Sequence, residues 1–377
     1  MSEGAGFGLY VHWPFCQAKC PYCDFNSHVA SRIDQNSWVS AYIEELERLG
    51  DETQGRVLNS VFFGGGTPSL MAPSTAEAII GALGRHWRLA NDLEVTLEAN
   101  PTSVEADKFR DFRSAGINRV SIGLQALNDA DLKALGRLHT ADEGTHAFDV
   151  AQSTFDRVSF DLIYARQNQS ISDWEAELSR ALSLAADHIS LYQLTIEPGT
   201  AFADRFARGG LRGLPDEDVS ADMFEVTQQL TVDAGLPAYE TSNHAKPGAE
   251  SRHNLIYWNC GDWVAIGPGA HGRLTLEGTR WATEAPKAPN AWLSAVAERS
   301  GQETRTRLSP EEQEEERVMM GLRLTDGIAV EPAMYLNKVN RINSLADTQL
   351  LELADNRLRL TPEGRPLLNA VLRELLA

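Results

Sequence analysis

The chain is poor in cysteine, with four thiols among 377 residues. So few argue against a disulfide-stapled scaffold. Long apolar runs are missing too. None reaches ~18 residues, so no helix is expected to cross a bilayer. Positive charge is scarce: 34 Lys and Arg stand against 53 Asp and Glu, giving a formal net charge of −19. Nucleic-acid binders need a basic footprint, which argues against binding to nucleic acid as a main activity. The opening MSEGAGFGLY has neither a basic n-region nor an apolar stretch, so no secretory signal is expected. A cytoplasmic location is expected, where thiols stay reduced and clustered cysteines serve as metal ligands or redox groups. There are no internal repeats and no low-complexity tract.

Hydrophobic residues make up 42% of the chain, enough for a sizeable core. Short β-branched runs recur through the first two hundred residues: GLYVHW, VLNSVFFGGG, LEVTLEANP, RVSIGLQ, RVSFDLIYA and HISLYQLTIE. Helical periodicity fills the gaps, as in SWVSAYIEELERLG and DWEAELSRALSLAA. That alternation predicts βαβ units and an α/β fold with a parallel sheet. Six units are countable, two short of a closed eight-stranded barrel. The expected architecture is a partial (β/α)6, TIM-like barrel over 1–240. A connecting segment spans 241–290. A smaller, mostly helical, winged-helix-like unit spans 291–377 and ends in helix, short hairpin (NRLRLTPEG) and helix. Functional residues belong at the C-terminal ends of the strands.

Three of the four thiols, Cys16, Cys20 and Cys23, fall in GLYVHWPFCQAKCPYCDFNSH, spaced C-x3-C-x2-C. Three clustered thiols leave one odd for a disulfide framework. A closed zinc site wants four ligands, usually as two separated pairs, though His12 or His28 offers a fourth. An iron–sulfur cubane fits better. It is held by thiolates, and three of them leave one of its four irons open to a small molecule. The fourth thiol, Cys260, is read as a buried bystander.

This spacing after a first strand resembles the radical S-adenosylmethionine (SAM) superfamily. The resemblance implies a radical SAM barrel and a [4Fe–4S] cluster whose open iron is chelated by SAM. Reductive cleavage of the sulfonium then gives a 5′-deoxyadenosyl radical. Tyr22 in CPYCDF would cover the cluster loop. FFGGGTPS ends the second strand; by itself it is either a tight turn or a backbone cradle. By resemblance, Gly65, Gly66 and Thr67 contact SAM. Glu98, Gln125 and Asp161 end the third, fourth and fifth strands, and Arg137 follows Gln125 where it could clamp a carboxylate. Each alone reads equally as structural; their order on successive strands matches the superfamily. Tyr10 would touch the methionine end.

Within the superfamily the chain is similar to oxygen-independent coproporphyrinogen III oxidase and to the HemW heme chaperone family. Phe25 stands where the oxidase has a further cysteine. The first cysteine comes early, at residue 16. HNLIYW at 253–258 resembles the HemW signature. Together these point to HemW. The resemblance implies heme binding through His253 and transfer to acceptor proteins, with porphyrinogen decarboxylation as the alternative activity. His271 is a second candidate heme ligand. HemW-like proteins can dimerise and associate peripherally with membranes; neither property is visible in these residues. One departure stands out: Ala165, Arg166 and Gln167 replace the Gly-Leu-Pro turn usual after the fifth strand.

Overall fold

The computed structural model describes residues 4–30, 32–301, 304–330 and 332–377. The six expected strands are Phe7–Trp13 (β1), Val57–Gly65 (β2), Arg88–Ala99 (β3), Arg119–Gln125 (β4), Arg157–Tyr164 (β5) and His188–Gln193 (β6). They pair in that order, all parallel. Short Asn243–Ala245 (β7) closes one side antiparallel to β6.

The other side holds a strand the sequence pattern did not single out. Asp262–Ile266 (β8) runs parallel to β1 on its free edge. Three antiparallel strands follow outward: His271–Leu276 (β9), Thr279–Glu284 (β10) and Thr304–Arg307 (β11). The result is one mixed sheet of 11 strands. Residues 241–290 are therefore built into the barrel wall. The signal was present in WVAI of DWVAIG, a short apolar run fit for a buried parallel strand. Helix Pro289–Ala297 also packs on the barrel, where Trp292 stacks on Trp38 at 5.5 Å. The second hydrophobic core begins at Val318, on helix Pro310–Gly321, and runs to Leu375. It joins helices to a three-stranded sheet of Ile328–Ala329, Arg357–Leu360 and Leu351–Ala354. The hairpin there turns at Asp355 and Asn356, both with positive φ (51° and 60°). That is the short turn chemistry that lets LELA, a helix-like tetrapeptide, become a strand.

Strand alternation sorts side chains to two faces. From β1, Leu9, Val11 and Trp13 are buried toward helix Gln35–Glu52, where Trp13 meets Trp38 edge-on at 5.9 Å. The opposite residues turn into the barrel. Pairing sets them in rows: Gly8 with Ser60 and Glu94, then Tyr10 with Phe62, Thr96, Arg119 and Arg157. Nearer the C-terminal ends lies the row Glu98, Ser121, Ser159 and His188, and beyond it Gly123, Asp161 and Ser190. The lowest row is covered by helix Arg252–Trp258. Its first N–H, from Arg252, donates to Glu94 Oε1 at 2.9 Å, and Ser251 caps it. The wide end, at the strand C-termini, stays open.

Candidate functional site

The C-terminal ends of the strands surround a cleft of about 370 Å³. Cys16, Cys20 and Cys23 line it together. A two-residue parallel ladder, Phe15–Cys16 with His28–Val29, closes the base of the loop that carries them. Inside the loop the Cys23 N–H donates to the Cys20 carbonyl at 3.1 Å. Two polar side chains address the sulfurs. The Thr67 hydroxyl donates to Cys16 Sγ at 3.4 Å, and Arg137 Nη1 donates to Cys20 Sγ at 3.5 Å.

This donor set fits an anionic cluster. Among the described residues, no three His, Cys, Asp or Glu side chains come together to hold a single ion, as a zinc site demands. A cubane asks instead for one thiolate on each of three irons, spread along a loop. Burial pushes the Cys23 thiol up to about 11 and raises Cys16 as well, so loading the loop releases protons. Cys260 lies beside Glu316 and Arg280 and does not line the cleft.

The glycine turn is placed as its sequence suggested, but its donors are already committed. The Gly65 N–H reaches Glu98 Oε2 at 3.3 Å, Gly66 donates to the Trp13 carbonyl at 2.7 Å, and Thr67 to the Phe15 carbonyl at 2.8 Å. A Cβ on Gly66 would fall 2.7 Å from that Phe15 carbonyl, so glycine is required for the turn to lie against the cysteine loop. These three N–H groups are therefore not free donors for a ligand.

Two carboxylates face the cleft with displaced protonation. Burial pushes Glu98 up to about 7, with the Asp161 charge adding to it. Burial likewise raises Asp161 to about 6, against the opposing pull of Arg137 and of Gln125, whose Nε2 donates to Asp161 Oδ2 at 2.6 Å. Such a pair is prepared for a cationic ligand, which would restore both charges. For Glu98, between the ordinary value of 4.5 and about 7, the folded chain keeps a proton that the unfolded chain has released. The ligand-free protein is therefore expected to lose stability as pH rises through that window. Urea unfolding at pH 5 and pH 8 should show a smaller difference for Glu98→Gln than for wild type; an equal difference removes Glu98 as its source.

The HNLIYW segment forms helix Arg252–Trp258 at the other end of the barrel. His253 is 1% exposed. Its Nδ1 shares a hydrogen bond with Ser60 Oγ at 2.8 Å and its Nε2 with Tyr257 OH at 2.6 Å. Phe62 stacks on the ring at 5.1 Å. Burial, then the nearby Arg119, lower it to about 3, so the imidazole is neutral. Neutral imidazole is the form that ligates heme iron, but here both nitrogens are engaged and sealed from solvent. His271 is exposed, 3.7 Å from Glu284.

Comparison with known proteins decides the family. A Radical SAM superfamily pattern matches residues 10–181, and a HemN C-terminal domain pattern matches 308–367. The chain is 36% identical to "Heme chaperone HemW" of Mycobacterium tuberculosis over 381 residues, covering 99% of this chain and 95% of that protein. The chain belongs to the radical SAM superfamily, in its HemW branch. It is also 38% identical to "Radical S-adenosyl methionine domain-containing protein 1, mitochondrial" of Bos taurus, over 98% of this chain and 87% of that protein. The solved structure of coproporphyrinogen III oxidase (HemN) from Escherichia coli shares the fold, with a TM-score of 0.81 at 19% identity over 98% of this chain and 90% of that one.

Set against this radical SAM frame, most of the expected SAM contacts meet in one place. Tyr22, Gly65, Gly66, Thr67, Glu98, Gln125, Arg137 and Asp161 all line the cleft. Tyr10 does not; it sits deeper, with its hydroxyl 3.1 Å from His12 Nδ1 and its ring over Phe62. Asn100 lines the cleft and was not foreseen. Its only sequence mark is the Asn-Pro that ends β3, two residues after Glu98.

The Ala165–Gln167 departure has a physical answer. Ala165 takes a left-handed φ of 57°, a conformation glycine would adopt at less cost. The next residue offsets it. The Arg166 guanidinium is buried, donating to the Ile163 carbonyl at 2.6 Å, to Asp131 at 2.7 Å and to Glu177 at 2.5 Å. Glu177 in turn accepts from the Leu127 N–H at 2.7 Å. The loop after β5 is thus tied to the segment that carries Gln125 and Arg137.

Proposed function

We propose that this protein binds heme and delivers it to acceptor proteins, and that its cleft holds a [4Fe–4S] cluster and SAM. The near full-length relationship to proteins named heme chaperone carries the reading. Cys16, Cys20 and Cys23 are the cluster ligands. When bound, the cluster and SAM supply one-electron cleavage of a sulfonium. This chain's residues do the rest. By resemblance Arg137 would face the SAM carboxylate and Glu98 and Asp161 its cationic groups, and the glycine turn would line the same cleft. Homodimer formation and peripheral membrane contact belong to the same proposal and rest on the resemblance alone.

Heme ligation by His253 requires one of its two hydrogen bonds to open, and the Arg252–Trp258 helix to give access. That makes a paired test. His253→Ala is expected to abolish the Soret shift that wild type shows on heme titration. Tyr257→Phe frees Nε2 and should tighten heme binding by roughly five-fold, the equivalent of a hydrogen bond of about 1 kcal/mol. If both variants titrate like wild type, His253 is not the ligand. Anaerobic incubation with coproporphyrinogen III, SAM and reductant is expected to give no protoporphyrinogen; turnover would establish the decarboxylase instead.

A further inference from the structure

We infer that Asn100 is a positioning residue for the cluster. It sets the direction of a hydrogen-bond chain whose two ends donate to two of the three cysteine sulfurs. The inference rests on the cluster reading and names a residue that neither the motif nor the resemblance includes.

The direction is forced by chemistry. A guanidinium only donates, so the amide oxygen of Asn100 must face Arg137, whose Nη2 lies 2.7 Å away. The amide nitrogen then faces Thr67 Oγ1 at 3.2 Å and donates to it. With that lone pair engaged, the Thr67 hydroxyl turns its own proton to Cys16 Sγ at 3.4 Å. At the opposite end Arg137 gives Nη1 to Cys20 Sγ at 3.5 Å, while Nη2 is also held by the Gly123 carbonyl at 2.9 Å. Asn100 itself is anchored. Its backbone N–H donates to Glu105 Oε2 at 3.0 Å and to Ser69 Oγ at 3.3 Å, and both of those residues are buried. The side chain thus has one orientation, and the two terminal donors of the chain, the Thr67 hydroxyl and Arg137 Nη1, point to sulfur.

Hydrogen bonds to cluster sulfurs stabilise the more negative, reduced form and raise its potential. A purely structural Asn100 would leave that potential alone.

The test uses the anaerobically reconstituted full-length protein. Iron content, circular dichroism and an EPR-monitored redox titration are measured for wild type, Asn100→Leu, Thr67→Val and the double variant. With iron retained, each single variant is expected to shift the cluster potential to more negative values. The double variant should shift by less than the sum, because the two residues share the arm to Cys16. Thr67→Val carries the test if Asn100→Leu is misfolded. Wild-type potential in both iron-loaded variants overturns the inference. So does loss of iron from both while their circular dichroism stays native, which would make the residues anchors of the loop. Wild-type protein that takes up no iron defeats the cluster reading instead, and is told apart at the first measurement.

Discussion

Cys16→Ala is expected to lower iron after anaerobic reconstitution from about four per chain to near zero, and acid-labile sulfide with it. The same result is expected for Cys20→Ala and Cys23→Ala. In the proposed site each would supply the single protein ligand of one iron, so a cluster missing any of them would have two open corners instead of one. Cys16 is the stringent case. It is buried at the end of a paired two-residue ladder and receives the Thr67 hydroxyl. Removing its sulfur deletes one apolar-sized atom and leaves the loop backbone bonded as before, so the fold should survive. Cys260→Ala is the internal control. That thiol follows the helix at the far end of the barrel and lines no part of the cleft. Its loss should leave iron and sulfide at wild-type levels. Retention of the brown chromophore in all three loop variants, or zinc without sulfide in wild type, would sink the cluster assignment and the SAM chemistry that depends on it.

The parts of this site that could be read from sequence share one property: their chemistry is local. C-x3-C-x2-C is a set of donors within one loop. Six β-branched runs between helical stretches specify a parallel sheet without reference to anything distant. Glu98 and Gln125 stand at the ends of successive strands as expected, whereas Asp161 lies three residues short of the end of the next; the parallel register still brings all three to one face. What could not be read depends on which partner a group meets. Gly66 and Thr67 look like free backbone donors until β1 and the cysteine loop take both N–H groups. Tyr10 alternates to the inner face as expected, yet it lies a row too deep to reach the cleft, and depth is fixed by register with β2. His253 carries the right chemistry for heme, but only the packed barrel shows that Ser60 and Tyr257 occupy its nitrogens. Asp262–Ile266 is a short run whose place beside β1 is a long-range pairing. Asn100 is invisible for the same reason, since its meaning lies in Thr67 and Arg137, each more than thirty residues away.

The loop after β5 shows how a sequence departure can be compensated far along the chain, and it gives the largest stability effect expected here. Arg166→Met should destabilise the protein by about 3–5 kcal/mol, the usual cost of removing one partner of a buried ion pair. The reason is the group left behind. Glu177 has a side-chain exposure of 8% and loses its 2.5 Å guanidinium partner, while Gln169 Nε2 at 3.2 Å and the Leu127 N–H at 2.7 Å cannot neutralise its charge. Asp131 is more exposed, at 29%, and suffers less. Double replacement is the decisive comparison. Arg166→Met with Glu177→Met removes both buried charges, and an apolar pair of similar volume should recover part of the loss, the Leu127 N–H being left without its acceptor. Denaturant titration of the two single variants and the double variant measures this directly. If the double variant is as unstable as the sum of the singles, the network is not an ion-pair unit, and packing alone explains the site. If coupling is found, Arg137 should feel it as well. Asp131 and Leu127 belong to the segment between Gln125 and Arg137, so Arg166→Met is also expected to weaken SAM binding, and the double variant, which also takes away the acceptor of the Leu127 N–H, should not restore it.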